Sequence, residues 1–432
     1  MRISVIGTGY LGATHAAAMA ELGHEVIGVD VDDAKINRLR LGQVPFFEPG
    51  LPELLSKHVA TGALRFTTSI GTAAEFADLH FVCVGTPQKK TEIGADLGYV
   101  DAAFAALAAV LRPGATVVGK STVPVGTAAR LATEVTAAGG DLVWNPEFLR
   151  EGFAVEDTLH PDRVVLGVPR PDAADRLLEA YAPILTTGIP LVVTDYATAE
   201  LVKVAANSFL ATKISFINAM AEVCEVTGAD VTQLATAIGH DARIGHRFLH
   251  AGLGFGGGCL PKDIRAFMAR AGELGVDQAV AFLKSVDEIN LRRRARMVDM
   301  AREMCDGSLA GRRIGVLGAA FKPNSDDIRD SPALDVASTI QRSGAAVRVY
   351  DPEAMVNAKD THPALAYTPS AIEACRDADV VLHLTEWAEF NELDPEHLAD
   401  VVHDTKLLDG RNALDPHRWR AAGWTFRALG RP

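Results

Sequence analysis

The sequence predicts an α/β protein: two Rossmann-like doubly wound domains joined by a long-helix central domain. Three observations predict it. The chain opens with a strand, a glycine turn, a helix, a second strand and a terminal acid. The same order returns near the C-terminus with a degenerate glycine turn. Between them lie long stretches with apolar residues at helical spacing. A chain of 432 residues is too long for one core, and we place the domains at 1–194, 195–308 and 309–432.

The opening run RISVI is β-branched and leads into GTGYLG, Gly7 to Gly12. An Ala-rich helical stretch follows, and HEVIGVD ends at Asp30. Glycines there let the backbone turn and approach a pyrophosphate at a helix N-terminus, while an acid at Asp30 accepts from a ribose 2′-hydroxyl and repels a 2′-phosphate. NAD is therefore the expected cofactor, held by Gly7, Gly9, Gly12 and Asp30. Two more strand-like runs, LHFVCVGTP and TVVGKSTVP, each end in a Gly/Thr/Pro turn. Ligands meet parallel sheets at such ends, so Thr86 and Thr122 are candidate contacts; the competing reading is turn-forming hydroxyls.

In the last third, RRIGVLGAAFK echoes the first strand and turn, AVRVYDP the acid-ended strand, and DADVVLHLTEW the third strand. FKPNSDDIRDSP stands where the glycine fingerprint would be completed, with Lys322 and Arg329 as cations that suit a phosphorylated ligand; a solvated charged loop is the alternative. Residues 195–226 read as one helix ending at Gly228, and 277–305 as another. These two helices are expected to form a connecting, dimerising core. Arg292, Arg293 and Arg294 read as a solvated helix face.

Net charge is −13, which argues against nucleic acid as a partner. No apolar run reaches the length of a membrane span, and MRISVIGTGY is a strand rather than a signal peptide; a cytoplasmic protein is expected. The five cysteines are widely spaced and lack a CxxC pair, so neither a disulfide framework nor a metal site is expected. Four of them lie in apolar surroundings. Cys259 does not: it sits in GLGFGGGCLPKD, where glycines would let substrate and nicotinamide approach the thiol. Lys203 and Asn207 are four apart on one helical face, positioned either to snorkel to solvent or to hold an oxygen that gains charge. Glu147 and Glu151, after Asn145-Pro146, fall at helical spacing, either as a charged first turn or as a carboxylate pair. Thiol and NAD together suit aldehyde-level oxidation through a thioester.

Taken together, GTGYLG with Asp30, VGTP, KSTVPVGT, NPEFLREG, ELVKVAANSFLATKISFIN, DARIGHRFLHAGLGFGGGCLPKD and FKPNSDDIRDSP span nearly the whole chain. In this combination the sequence resembles the nucleotide-sugar 6-dehydrogenases, the UDP-glucose/GDP-mannose dehydrogenase family. The resemblance implies two successive NAD-dependent oxidations of a sugar C6, from alcohol to aldehyde to acid. It makes Cys259 the nucleophile, Lys203 and Asn207 the oxyanion-stabilising groups, Asp263 a proton-transfer group acting through water, and Glu147 the base for hydrolysis. Thr122 joins this catalytic set. Tyr10, Leu11, Lys35, Thr86, Glu151 and Arg329 fall on cofactor positions. Phe148, Leu149, Phe248, Gly256, Lys322 and Arg411 fall on positions for the UDP-sugar. Arg243 would reach the substrate of a neighbouring subunit, so a homodimer or a higher homo-oligomer is implied. FKPNSDDIRDSP leans toward UDP-glucose; GDP-mannose dehydrogenases share the CLPKD ending. A catalytically silent NAD-binding protein is the reading from another class, against which the retained Cys259, Lys203, Asn207 and Asp263 argue.

Overall fold

Strand β1 (Arg2–Ile6) is buried on both faces after its first residue, as a central parallel strand must be. Its side chains alternate between two cores: Ile3 and Val5 face one, Ile6 the other. The helix behind it, Tyr10–Glu21, buries every residue from Gly12 to Ala20; its run of alanines permits that close packing. The computed structural model describes residues 1–90 and 92–432. They separate into two compact units, residues 1–206 with 265–275, and residues 207–264 with 276–432.

The first unit holds an eight-stranded sheet. After β1 come β2 (Glu25–Val29), β3 (Leu64–Thr67), β4 (Leu79–Val82), β5 (Thr116–Gly119), β6 (Asp141–Trp144), β7 (Val164–Gly167) and β8 (Leu191–Thr194). Their order is β3-β2-β1-β4-β5-β6-β7-β8. The first six are parallel and doubly wound, with the change of direction between β1 and β4. β7 turns antiparallel to β6 at Trp144–Gly167.

The second unit holds β9 (Arg313–Leu317), β10 (Ala346–Tyr350), β11 (Ala366–Tyr367), β12 (Val380–His383), β13 (Lys406–Asp409) and β14 (Thr425–Ala428). All pairings are parallel, in the order β11-β10-β9-β12-β13-β14. This is the winding of the first six strands repeated, as the echo in the sequence implied. The long helices are Tyr196–Thr227 and Phe282–Met304. The first is followed by Gly228 at φ +75°, the left-handed stop that glycine favours.

One expectation is overturned here. Of the three consecutive arginines only Arg292 lies on a solvated face. Arg293 is fully buried and donates to Glu225 at 2.8 Å; Arg294 is buried and donates to Asp330 at 2.8 Å. Burial pushes the Glu225 carboxyl up, but Arg293 and Arg296 outweigh it and hold the group below its ordinary value. Guanidinium forks meeting acids on other elements turn an apparent surface run into core.

Candidate active site

In the first unit the turn after β1 has the build of a dinucleotide site. A Cβ on Gly12 would collide with the carbonyl oxygen of Gly7, whose φ is +87°, so both positions require glycine. Among the described residues, nothing lies within 4 Å of where a Cβ on Gly9 would sit, and no side chain caps the helix that starts at Tyr10. That leaves an open, electropositive helix end where a pyrophosphate fits. At the end of β2, Asp30 Oδ2 accepts from Thr8 N at 2.9 Å and from Lys35 Nζ at 2.9 Å. Burial pushes the Asp30 carboxyl up; Lys35 and the backbone amides of Thr8 and Asp32 override this and hold it below its usual range. The carboxylate is thus anionic and half-buried at the ribose position. Leu11 packs on the core behind the turn, and Tyr10 Oη accepts from Gly152 N at 2.8 Å, beside Glu151.

The carboxyl ends of β4, β5 and β6 converge. Thr86 Oγ1 donates to the carbonyl of Thr122 at 2.8 Å, joining the two threonines singled out in the sequence. The NPEFLREG segment is not helical, contrary to the spacing of its acids: the next helix begins at Ala154. Asn145 N is tied to Gly119 O at 2.8 Å, Pro146 has no amide hydrogen, and Glu147 Oε2 takes Leu149 N at 2.8 Å, closing a local turn instead. Glu147 Oε1 meets Lys203 Nζ at 2.9 Å. Lys203 is therefore buried and ion-paired rather than snorkelling. Phe148 lies beneath two cations, Arg163 at 3.8 Å and Lys203 at 5.7 Å from its ring centre. Two buried acids that sequence reasoning passed over pin these loops: Glu200 takes Gly126 N and Ala128 N at 2.7 and 2.6 Å, and Glu48 takes Gly152 N and Ala154 N at 2.6 and 2.7 Å. An acid inside PFFEPG was the available signal for Glu48. Glu200 had none beyond standing three residues before Lys203.

In the second unit Cys259 is the exposed thiol; Cys83, Cys224, Cys305 and Cys375 are buried. Burial pushes the thiols of Cys83 and Cys375 up to about 12, as inert small hydrophobes require. The carbonyl of Cys259 accepts from Asp263 N at 2.9 Å, placing the thiol at the start of helix Leu260–Glu273. Asp263 is buried, accepts from Asn207 Nδ2 at 2.7 Å, and pairs with Lys262 at 2.7 Å. The glycines around the thiol have a cause besides the substrate access expected from the sequence. A Cβ on Gly252 would fall 2.6 Å from Gly410 O, and one on Gly257 2.8 Å from the Phe321 ring; Gly254 faces Asn290, Gly256 the Asp330 carbonyl and Gly258 the Arg329 guanidinium. The protein's own chain fills the space that missing side chains leave.

Around the second sheet, Arg329 forms a fork with Asp327, its Nη2 at 2.7 Å from Oδ2, and Lys322 lies 5.4 Å from the Phe321 ring centre. Arg411 is a staple: Nε, Nη1 and Nη2 donate to the carbonyls of Leu384, Gly254 and Phe321 at 2.7, 3.0 and 3.0 Å. Phe248 holds φ +65°, a strained conformation for an aromatic residue. Arg243 reaches outward with its side chain 89% exposed, folded on Asp241. At the end of β10, Asp351 occupies the place that Asp30 has on β2, yet it is fully buried. It accepts from Ala319 N, Ala320 N and Trp387 Nε1 on Oδ2, and from Glu353 N and Ala354 N on Oδ1. All of its acceptor capacity is spent internally, so this corner has no acid to offer a ribose.

Comparison with known proteins agrees with both halves. Residues 1–185 match the NAD binding domain of the UDP-glucose/GDP-mannose dehydrogenase family, residues 197–292 its central domain and residues 315–416 its UDP binding domain. The chain is 43% identical to the UDP-glucose 6-dehydrogenase of Rhizobium meliloti, with both chains fully covered. It is 40% identical to the UDP-glucose 6-dehydrogenase TuaD of Bacillus subtilis, covering all of this chain and 93% of that one. A solved UDP-glucose dehydrogenase from Pyrobaculum islandicum superposes with a TM-score of 0.91 at 37% identity, covering 100% of this chain and 98% of that chain.

Proposed function

Since the chain belongs to the UDP-glucose/GDP-mannose dehydrogenase family, we propose that it oxidises UDP-glucose at C6 to UDP-glucuronate through a thioester on Cys259. The observation that carries the reading is an exposed thiol at a helix start, one turn ahead of the buried Asp263–Asn207 pair. NAD⁺, held by the Gly7–Gly12 turn and Asp30, would supply the hydride acceptor for each of two oxidations. In the first, the C6 hydroxyl loses its proton by way of water and Asp263, with Lys203 and Asn207 holding the oxygen as it becomes negative. In the second, the Cys259 thiolate adds to the aldehyde carbon; the tetrahedral adduct loses hydride and becomes a thioester. Water, deprotonated by Glu147, then cleaves the C–S bond, returning the thiol and releasing the acid. The partial positive charge of the helix end favours the thiolate. Functionally the chain divides as the sequence does, into 1–194, 195–308 and 309–432. Among the described residues no helix is long and apolar enough to cross a membrane, and free nucleotide sugar and NAD fit a cytoplasmic setting.

With UDP-glucose the enzyme is expected to release two NADH for each acid formed. Coupled measurement of NADH absorbance and UDP-glucuronate checks this. GDP-mannose turned over in preference would move the chain to the sister activity, and NAD binding without turnover of either would mark it as catalytically silent.

The same reading requires a partner subunit. Phe209, Phe216 and Val223 recur every seventh position along helix Tyr196–Thr227 and are 67%, 49% and 50% exposed, an apolar stripe that a second copy of the helix would cover. Sedimentation velocity is expected to show a dimer or larger assembly for the wild type and a monomer for Phe216→Glu. A monodisperse wild-type monomer would sink the assignment of Arg243 to a neighbour's substrate.

A further inference from the structure

The carboxyl end of β5 carries a second buried lysine. Lys120 is 7% exposed, and its Nζ donates to Asn145 Oδ1 at 2.8 Å and Tyr181 Oη at 3.3 Å, 5.9 Å from the ring centres of Phe81 and Tyr181. Among the described residues no carboxylate lies within ion-pair distance of it. Lys203, by contrast, is matched by Glu147 at 2.9 Å. Asn145 is immobilised from every side: Nδ2 donates to Val165 O at 2.9 Å, its own amide to Gly119 O at 2.8 Å, and Oδ1 also accepts from Tyr181 Oη at 2.8 Å. Glu147 follows two residues later in the same turn.

The groups that face this ammonium are Cys83, His15, Tyr181, Glu147 and Lys203. The first three are neutral. Burial pushes the Cys83 thiol up to about 12 and the Tyr181 hydroxyl well above its ordinary value; burial, then Lys120, pushes the His15 imidazole well below its own. Glu147 and Lys203 cancel each other. With Lys120 protonated the cluster carries one net positive charge, and without that proton it carries none.

We propose that Lys120 is a positioning residue for the reaction: its ammonium fixes the Asn145–Glu147 turn and supplies the net positive charge that Lys203, neutralised by Glu147, does not supply alone. In a dry site that excess charge favours an oxygen becoming negative on the substrate. Burial pushes the ammonium down to about 8, with Glu147 opposing the shift and Lys203 adding to it. The charge is thus present below that pH and lost as pH rises through it. The inference rests on the oxidation of UDP-glucose proposed above.

The test compares pH profiles of NADH release from UDP-glucose by the full-length wild type, Lys120→Met and Asn145→Asp. Lys120→Met is expected to lower kcat at neutral pH about tenfold with KM little changed, and to remove a fall in wild-type activity near pH 8. Asn145→Asp sets an anion beside the ammonium and is expected to move that fall to higher pH. Thermal melting and NAD binding establish that each variant is folded; should Lys120→Met not fold, the Asn145→Asp shift decides. A Lys120→Met enzyme with the wild-type rate and profile, or an Asn145→Asp enzyme with the fall unmoved, overturns the proposal. The charge is also readable without turnover, as the signal that Lys120→Met deletes from an NMR titration of ¹³Cε-lysine protein. A midpoint near that of ordinary lysine overturns the inference even if UDP-glucose proves not to be the substrate. A wild type inactive on UDP-glucose with the low midpoint intact would overturn only the function on which it rests.

Discussion

Lys203→Ala is expected to abolish both oxidations, with the rate of NADH release from UDP-glucose down on the order of 10³-fold or more. Lys203 is the assigned cation with work in every oxidative step, beside Asn207, since alkoxide character appears on the sugar C6 oxygen each time hydride leaves. Its environment sharpens the expectation. The ammonium is buried and bonded to Glu147 at 2.9 Å, and the Phe148 ring lies 5.7 Å away. Removing it takes away the cation and leaves the Glu147 carboxylate in a poorly hydrated place, where an unmatched charge is costly. The measurement is stopped-flow NADH release from UDP-glucose and, separately, from the C6 aldehyde. Lys203→Arg is a useful companion, because it keeps the charge but forces a planar fork into a site shaped for a point donor. Near-normal oxidation of either compound by Lys203→Ala would remove this residue from the chemistry.

Cys259→Ser is expected to separate the half-reactions. Oxidation of alcohol to aldehyde needs no sulfur and should persist, at a reduced rate. Acid formation should fall by at least about 10³-fold, because serine is a far weaker nucleophile than a thiolate and its ester would hydrolyse slowly. The wild type should also give a covalent adduct on rapid acid quench, seen as a mass increase on the peptide containing Cys259, absent from Cys259→Ala. Structural damage is not expected from either change. The side chain is exposed, and its backbone bond to Asp263 N at 2.9 Å survives substitution. Acid produced by Cys259→Ala at the wild-type rate would eliminate the covalent route while leaving the dehydrogenase reading in place.

The parts of this molecule that could be read in advance are those whose chemistry is local. A glycine turn between a strand and a helix, with an acid ending the next strand, states its geometry in a few residues, and the Gly7–Gly12 turn and Asp30 stand where that pattern puts them. The second sheet was legible by the same logic applied twice. What was misread depends on partners distant in sequence. Arg293 reads as surface until Glu225 is seen across the helix pair. Glu147 and Glu151 have helical spacing, but Pro146 and a carboxylate bonded to Leu149 N hold the segment out of a helix. The glycines around Cys259 signalled close approach correctly; which atoms approach was not in the sequence, and they belong to Gly410, Asn290, Phe321, Asp330 and Arg329. Lys120, inside KSTVP, gives no such sign, since a lysine shows its chemistry only once its burial is known.

The closed corner at Asp351 bears on how cofactor choice can be re-engineered. A protein with two sheets of one design offers a protein engineer two places to alter dinucleotide preference. Here the second is already plugged by five internal donors, Trp387 Nε1 among them. Retargeting toward a phosphorylated dinucleotide therefore reduces to one address, the acid at position 30 and its lysine neighbour, while the same exchange at position 351 would only unlatch a loop.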